Sequence, residues 1–331
     1  MKIGMLFAGY GSQYVGMGKD LYDISRIVQE HFEEASNCLG ENFVKLCFAS
    51  SDMELSKINN AYPALFLVSV SITALLKEKG IVPEIVSGCD IGALSALSSV
   101  GGLSVPDGLY LLNKLSQFYQ ETFAQIDEIG LIRIQGMPRD ILKDECAAVS
   151  LNVAPVSIAL RYSQTDHVVG GHRQAIDALE NQLAGQQGVK IVECSSALGL
   201  HSSLMNPVME QLVVYLTKVD FHDSAIPFVT GVDAQIVQSG EDIKQAIVKQ
   251  ICHPILMDDV LEQFSSCDLI LAVGPGNLLC SLARERFPDK QVVSVCKQSD
   301  VDHVLSLLEI DNPKDESSDD DNSTVSESDI L

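Results

Sequence analysis

The spacing of hydrophobic positions changes several times along the chain. An apolar run over residues 2–7 predicts a first strand, and a glycine loop, Gly9-Tyr10-Gly11-Ser12-Gln13, follows it. Residues 25–39, 62–79 and 107–124 repeat apolar side chains at three- and four-residue spacing, which predicts helices, with Pro63 and Pro106 in first turns. A short β-branched run after Pro83 predicts a buried strand, and Gly88 and Gly92 bracket a tight turn. The small and apolar residues from Ala93 to Val100 then predict a closely packed helix. Beyond Ile129 the pattern shortens: 130–134, 149–159, 167–171 and 189–194 read as strands and 174–184 as a helix. Alternation of helix and strand returns after Gly199-Leu200-His201, through helices at 207–216 and 241–251 and strands at 227–232 and 269–273. This order predicts a small α+β unit inserted into a larger, discontinuous α/β unit. There is no internal repeat.

The segment Glu84 to Leu97 is the one around which the rest is organised. Strand, tight turn and helix form the elbow of G-x-S-x-G enzymes, which lifts one side chain to its tip beside backbone N–H groups able to hold an oxyanion. Here the turn reads Gly88-Cys89-Asp90-Ile91-Gly92, so an aspartate stands at the tip where a serine nucleophile belongs. An aspartate at a helix start also has a structural reading, as an N-cap for the following helix. If Asp90 is an anion it should pair with a histidine and hold that ring charged, which makes the histidine half of an ion pair and not a base. Cys89 precedes the tip and should point away, as a packed thiol. The Gly9-x-Gly11 loop after the first strand lacks the third glycine of a dinucleotide fingerprint at the right spacing.

Composition narrows the classes. The 331 residues suffice for one elaborated domain or two compact ones. We find no apolar run approaching the roughly 20 residues of a membrane span, and the first residues are too short and too glycine-broken for a secretion signal, so the expectation is a cytoplasmic protein with no membrane partner. Nine cysteines without Cys-x-x-Cys spacing read as free buried thiols; His167, His172 and His253 lack ligand spacing and read as solvated or capping, so no metal site is predicted. The net charge of −23 excludes nucleic acid as a partner. Residues 311–331 hold eight acidic side chains against Lys314 alone, with no hydrophobic period, and are expected to be a disordered acidic tail.

Five stretches, in order and at matching spacings, resemble the malonyl-CoA:acyl-carrier-protein transacylase family over residues 3–297. Phe7 to Gln13 with Gly16-Met17-Gly18 is similar to the family's F-P-G-Q-G-S-Q opening, and Tyr62-Pro63-Ala64-Leu65-Phe66 to its Q-P-A-L-F. Gly88 to Leu97 is similar to G-H-S-L-G-E-Y-S-A-L, His201 to Met205 to H-S-P-L-M, and Val273 to Gly276 to V-G-P-G. The resemblance implies an α/β fold: an α/β-hydrolase-like large subdomain with a parallel sheet (1–125 and 200–310) plus an inserted small ferredoxin-like subdomain (126–199), followed by the tail at 311–331. It implies ping-pong malonyl transfer through an elbow serine, from CoA to a carrier-protein thiol, with no cofactor. Carried over by position, His201 matches the catalytic histidine, Gln250 the glutamine whose backbone carbonyl orients that ring, and the N–H groups of Tyr10 and Ile91 the oxyanion hole.

This chain departs from the family at the positions that matter most. Asp90 replaces the serine, Cys89 a histidine and Ala93 a glutamate; Leu115 replaces the arginine that clamps the malonyl carboxylate; Tyr10, Tyr62 and Asp166 replace glutamines near the pocket. Losing such a nucleophile costs on the order of 10⁶ in kcat, and losing a bidentate arginine removes the bond that selects a dicarboxyl substrate. The sequence therefore predicts that ordinary malonyl transfer is gone. One reading is a pseudoenzyme or scaffold of fatty-acid or polyketide synthesis, with a synthase protein as partner. The other is an altered acyl-thioester hydrolase or residual acyltransferase using Asp90 and His201. Acyl-CoA and acyl carrier protein are the candidate ligands, although a protein this acidic lacks the basic face that an acidic carrier docks on.

Overall fold

A computed structural model describes residues 1–126, 128–194 and 201–310; the predicted tail at 311–331 lies outside them. The strands in chain order are β1 (Ile3–Phe7), β2 (Ile85–Gly88), β3 (Ile129–Gln135), β4 (Val156–Arg161), β5 (Asp166–His172), β6 (Lys190–Glu193), β7 (Phe228–Val229), β8 (Ile236–Val237), β9 (Ile255–Leu256), β10 (Leu269–Val273) and β11 (Gln291–Val295). They form two sheets. The larger runs β11-β10-β1-β2-β7-β8, parallel from β11 to β7, with β8 antiparallel at its edge. Every residue of β1, β2 and β10 is buried, as strands covered by helices on both faces must be. The order of strands reverses around β1, so the loops after β1, β2 and β10 open together at the carboxyl edge, where sheets of this type bind ligands.

The smaller sheet runs β6-β3-β5-β4-β9. Its β3 to β6 strands pair antiparallel and carry two helices, Arg139–Asn152 and Arg173–Leu183, over a separate core that includes Ile132, Ile134, Val149, Val169, Ile176 and Leu179. β9, from the large unit, adds parallel to β4 and joins the two sheets.

Several expectations are corrected. Residues 149–155 are not strand: the helix Arg139–Asn152 buries Leu142, Cys146 and Val149 at helical spacing, and β4 begins only at Val156. Pro63 is not in a first turn, because the helix containing it, Ile58–Glu78, starts earlier. That helix is also long and apolar enough to cross a membrane by length and composition, contrary to the reading above, yet 89% of its most apolar stretch is buried inside the protein. Packing against protein on all sides accounts for its composition.

Candidate active site

The elbow between β2 and the helix Gly92–Ser99 exists because two glycines permit contact that a Cβ would forbid. A Cβ on Gly88 would stand 2.1 Å from the Gly92 carbonyl carbon, and one on Gly92 would stand 2.2 Å from the Phe7 oxygen. The elbow thus rests directly on β1, with the Cys89 N–H donating to the Phe7 carbonyl at 3.0 Å. Asp90 at the tip has φ +54°, a left-handed conformation that a non-glycine residue adopts only under constraint.

Asp90 is not the N-cap predicted as its structural role. The cap position falls to Ile91, and no side chain caps that helix. The carboxylate turns instead toward the site. Its Oδ2 accepts from the Tyr10 N–H at 3.3 Å, and the neighbouring Ile91 N–H also favours the carboxylate anion. These are the two donors that the resemblance assigns to an oxyanion hole, and the side chain at the tip lies against them. Only 7% of Asp90 is exposed. Burial pushes its carboxyl above the ordinary carboxylate range, against the opposing pull of His201 and of the two N–H groups.

His201, 1% exposed, approaches from the other side, its Nε2 standing 3.5 Å from Asp90 Oδ1. The two stand within ion-pair distance but without a hydrogen bond, since Nε2 has no aligned partner. The ring is held at its other nitrogen, where Nδ1 donates to the backbone carbonyl of Gln250 at 2.6 Å. That carbonyl can only accept, so the proton sits on Nδ1. The Gln250 side chain ties the far end: its Nε2 donates to the Asp90 carbonyl at 3.4 Å. That bond was not anticipated from the sequence, which assigned a role only to the backbone of Gln250.

Aromatic side chains fill the floor beside the elbow. Tyr10 packs edge-on to Tyr62 at 5.7 Å, Tyr62 to Tyr119 at 6.1 Å, and Tyr119 stacks on Phe123 at 5.7 Å. Tyr62 and Tyr119 are 0% and 1% exposed, and burial, reinforced by the Asp90 charge, drives both phenols well above their usual range. They are neutral walls. Leu115 lies one turn before Tyr119 on the helix Val105–Phe123 and is buried with it. Lys114, the neighbouring cation, does not replace the clamp: its Nζ bonds Gln117 and lies over the Tyr215 ring. Cys89 is buried, and its thiol is pushed far above the range of a nucleophile.

Asp166 sits on the small sheet, bound by Arg133 at 2.8 and 2.5 Å and by Gln135 at 3.1 Å. Burial alone would raise its carboxyl, but these bonds outweigh burial and hold it below the ordinary range. Of the remaining histidines, His167 is wholly buried and its Nε2 contacts the Met137 carbonyl at 3.1 Å, so the solvated or capping reading fails there. His253 follows its helix, with Nδ1 2.9 Å from the Lys249 carbonyl. Sequence reasoning passed over Arg133 and Tyr119. Both had a signal: Arg133 shares a strand face with Leu131 and Gln135, and Tyr119 is four residues beyond Leu115 on one helix.

The family model described as acyl transferase domain matches residues 5–275. The malonyl CoA-acyl carrier protein transacylase of Bacillus subtilis (strain 168) is 28% identical over 314 residues, covering 94% of this chain and 98% of that protein. The crystal structure of the same-named enzyme from Clostridium perfringens aligns with a TM-score of 0.87 at 26% identity, over 93% of this chain and 98% of that one. A malonyl-transacylase solved in complex with its type II PKS acyl-carrier protein aligns with a TM-score of 0.87 at 26% identity, over 93% of this chain and all of that one.

Proposed function

The chain belongs to the acyl transferase domain family, and from that premise we propose that it is a non-acylating member, acting in fatty-acid or polyketide synthesis as a binding or scaffold protein. The observation that carries this reading is the position of the Asp90 carboxylate on the Tyr10 and Ile91 N–H groups. Acyl transfer needs those donors free to meet the oxyanion as it forms, and removing even one donor from such a hole costs 10²–10³ in rate. In this site the residue in the nucleophile's place has filled the hole. Leu115, where the resemblance puts a clamping arginine, removes the second requirement of malonyl transfer.

The competing reading, a hydrolase in which Asp90 attacks a thioester or holds the attacking water, would draw on the Asp90–His201 contact. It requires the carboxylate to leave both N–H donors and ionise fully in a site that favours its proton. Carrier protein or acyl-CoA remains the ligand class to test, by analogy with the relatives' names; the overall charge of −23 sets this protein against an acidic carrier.

The test is intact-mass measurement after incubation with malonyl-CoA, together with a thiol assay for released CoA. We expect no added malonyl mass and CoA release no faster than without protein. A stable malonyl adduct would overturn the reading, and catalytic CoA release without an adduct would favour the hydrolase.

A further inference from the structure

His167 is a buried titratable group that the elbow does not use. On β5 it stands directly opposite Ile134 of β3 and Arg161 of β4, and it shares a face of the sheet with Ile134 and Val169 of the small unit's core. It is 0% exposed. Its Nε2 lies 3.1 Å from the Met137 carbonyl, which can only accept, so the ring carries its proton there. Nδ1 is buried as well, and among the described residues no hydrogen-bond partner reaches it. Charging the ring puts a second proton on that nitrogen, inside an apolar core. The charged groups around it come from its own strand, from β4 and from the helix Met257–Glu262. Asp166 precedes it on β5 but is bonded by Arg133 and Gln135. Asp258 is bonded by Arg161 and Gln164, and Arg161 also reaches Asp259. The helices Arg139–Asn152 and Arg173–Leu183 bring apolar side chains such as Leu142 and Leu179 to this core and keep their charged ones at or near the surface. The Met137 and Gln164 carbonyls and the Asp166 and Asp258 carboxylates favour a charged ring, yet burial outweighs them and holds the imidazole below its ordinary range.

We propose that His167 makes the junction between the two sheets sensitive to acid: a proton on its ring competes with Arg161 for Asp258, and the small sheet loosens from β9 and the helix Met257–Glu262 while the large parallel sheet stays intact. Both carboxylates that act on the ring are already bonded, so a charged His167 gains a partner only by drawing one away. Asp258 is the one whose loss is felt between the units. Arg161, with 3% of its side chain exposed, reaches from the small sheet to that carboxylate, and β9 pairs with β4 at Leu160 and Arg161 immediately before the helix that carries it. The sign follows from the lowered range of the ring. His167 contributes fully above the ordinary histidine pKa, and the contribution is lost as pH falls from there through the lowered value, because the loosened chain takes the proton first.

Calorimetry of the full chain and of His167→Gln, at about pH 7.5 and about pH 5.5, tests this across the range in which histidine titrates. Glutamine keeps an N–H donor for the Met137 carbonyl and cannot take a proton, and every other titrating group is common to the two proteins. On acidification the wild type should lose about 3 °C more of its Tm than the variant loses. Equal losses, or a greater loss in the variant, overturn the proposal. Hydrogen exchange of the wild type gives a second readout that holds even if the variant does not fold. Protection of β4, β9 and the helix Met257–Glu262, corrected for the intrinsic rate, should fall about tenfold between the two pH values while that of β1 and β10 holds. Unchanged protection at the junction overturns the proposal, and so does a fall that β1 and β10 share, since the whole fold would then be yielding and not the junction.

Discussion

Asp90 is held under opposed demands, and their balance fixes how stability responds to pH. Burial favours the neutral carboxyl, the His201 charge and the Ile91 and Tyr10 N–H groups favour the anion, and burial prevails. With the folded pKa raised above the unfolded one, the fold binds this proton more tightly, so the contribution is complete below the ordinary carboxylate pKa and is lost as pH rises through the folded value. Asp90→Asn removes that loss, keeps an acceptor for the two N–H groups and gives the ring of His201 a donor. We expect the variant to melt higher than the wild type at neutral pH, by on the order of 2 °C, with the gap closing as pH falls. Melting curves across the acidic range check this, and a lower Tm for the variant at neutral pH would mean that the His201 attraction outweighs burial. Asp166 has the opposite sign: its pKa is lowered, so its contribution is complete above the ordinary carboxylate range and is lost as pH falls through the lowered value. Malonyl loading should return only when both substituted positions are addressed. Asp90→Ser frees the Tyr10 and Ile91 donors and is expected to give at most weak acyl loading without malonyl preference, whereas Asp90→Ser with Leu115→Arg should load malonyl detectably by intact mass. No loading in the double variant would show that the tyrosine floor has remodelled the site beyond these two positions.

Among the elements, the elbow is the most legible and the most brittle. Gly88 and Gly92 could be read directly, because only glycine lets the helix Gly92–Ser99 lie this close to β1 and β2, and a missing Cβ is visible in the sequence. For the same reason Gly88→Ala should cost more than about 3 kcal/mol, since its Cβ meets backbone that cannot swing aside. Denaturant unfolding measures it; a loss below about 1 kcal/mol would mean that the strand and helix can part without harm. What could not be read is instructive. The helix Arg139–Asn152 hid because its charged first turns and apolar end look like a loop followed by a strand, and only its packing under β3 to β5 makes the helical spacing decisive. The start of Ile58–Glu78 hid because Pro63 reads as a beginning, whereas it lies inside the helix, past the first turn. The occupied oxyanion hole was beyond any sequence reading, since the direction of one side chain decides it. An aspartate in an ordinary turn would have capped the helix; the φ of +54° turns the carboxylate back onto Tyr10.

At the scale of the whole molecule, a buried charge cluster helps to hold the two sheets in their relative position. Arg161, at the end of β4 in the small sheet, has 3% of its side chain exposed; it bonds Asp258 at 2.5 Å and also reaches Asp259, both in the helix Met257–Glu262 of the large unit. Gln164 adds a bond to Asp258 at 3.0 Å, and β9 pairs with β4 immediately beside the cluster. A buried pair of this kind is a poor source of net stability, because desolvation offsets most of its attraction, but it is costly to break by halves. The two halves are unequal here. Asp258→Ala leaves a sealed guanidinium with only the half-exposed Asp259, and should cost about 3 kcal/mol or more. Arg161→Met removes the sealed charge itself, leaves Asp258 with Gln164 and fills the space with apolar atoms, so it should cost clearly less. Because the lost contact spans the two units, Asp258→Ala is further expected to split a single calorimetric transition, the small unit melting first while the large parallel sheet persists. Calorimetry of the two variants decides it: if Arg161→Met proves as damaging as Asp258→Ala, the cluster is a net source of stability, and if neither variant splits the transition, the shared pairing of β4 with β9 is sufficient to keep the two sheets in register.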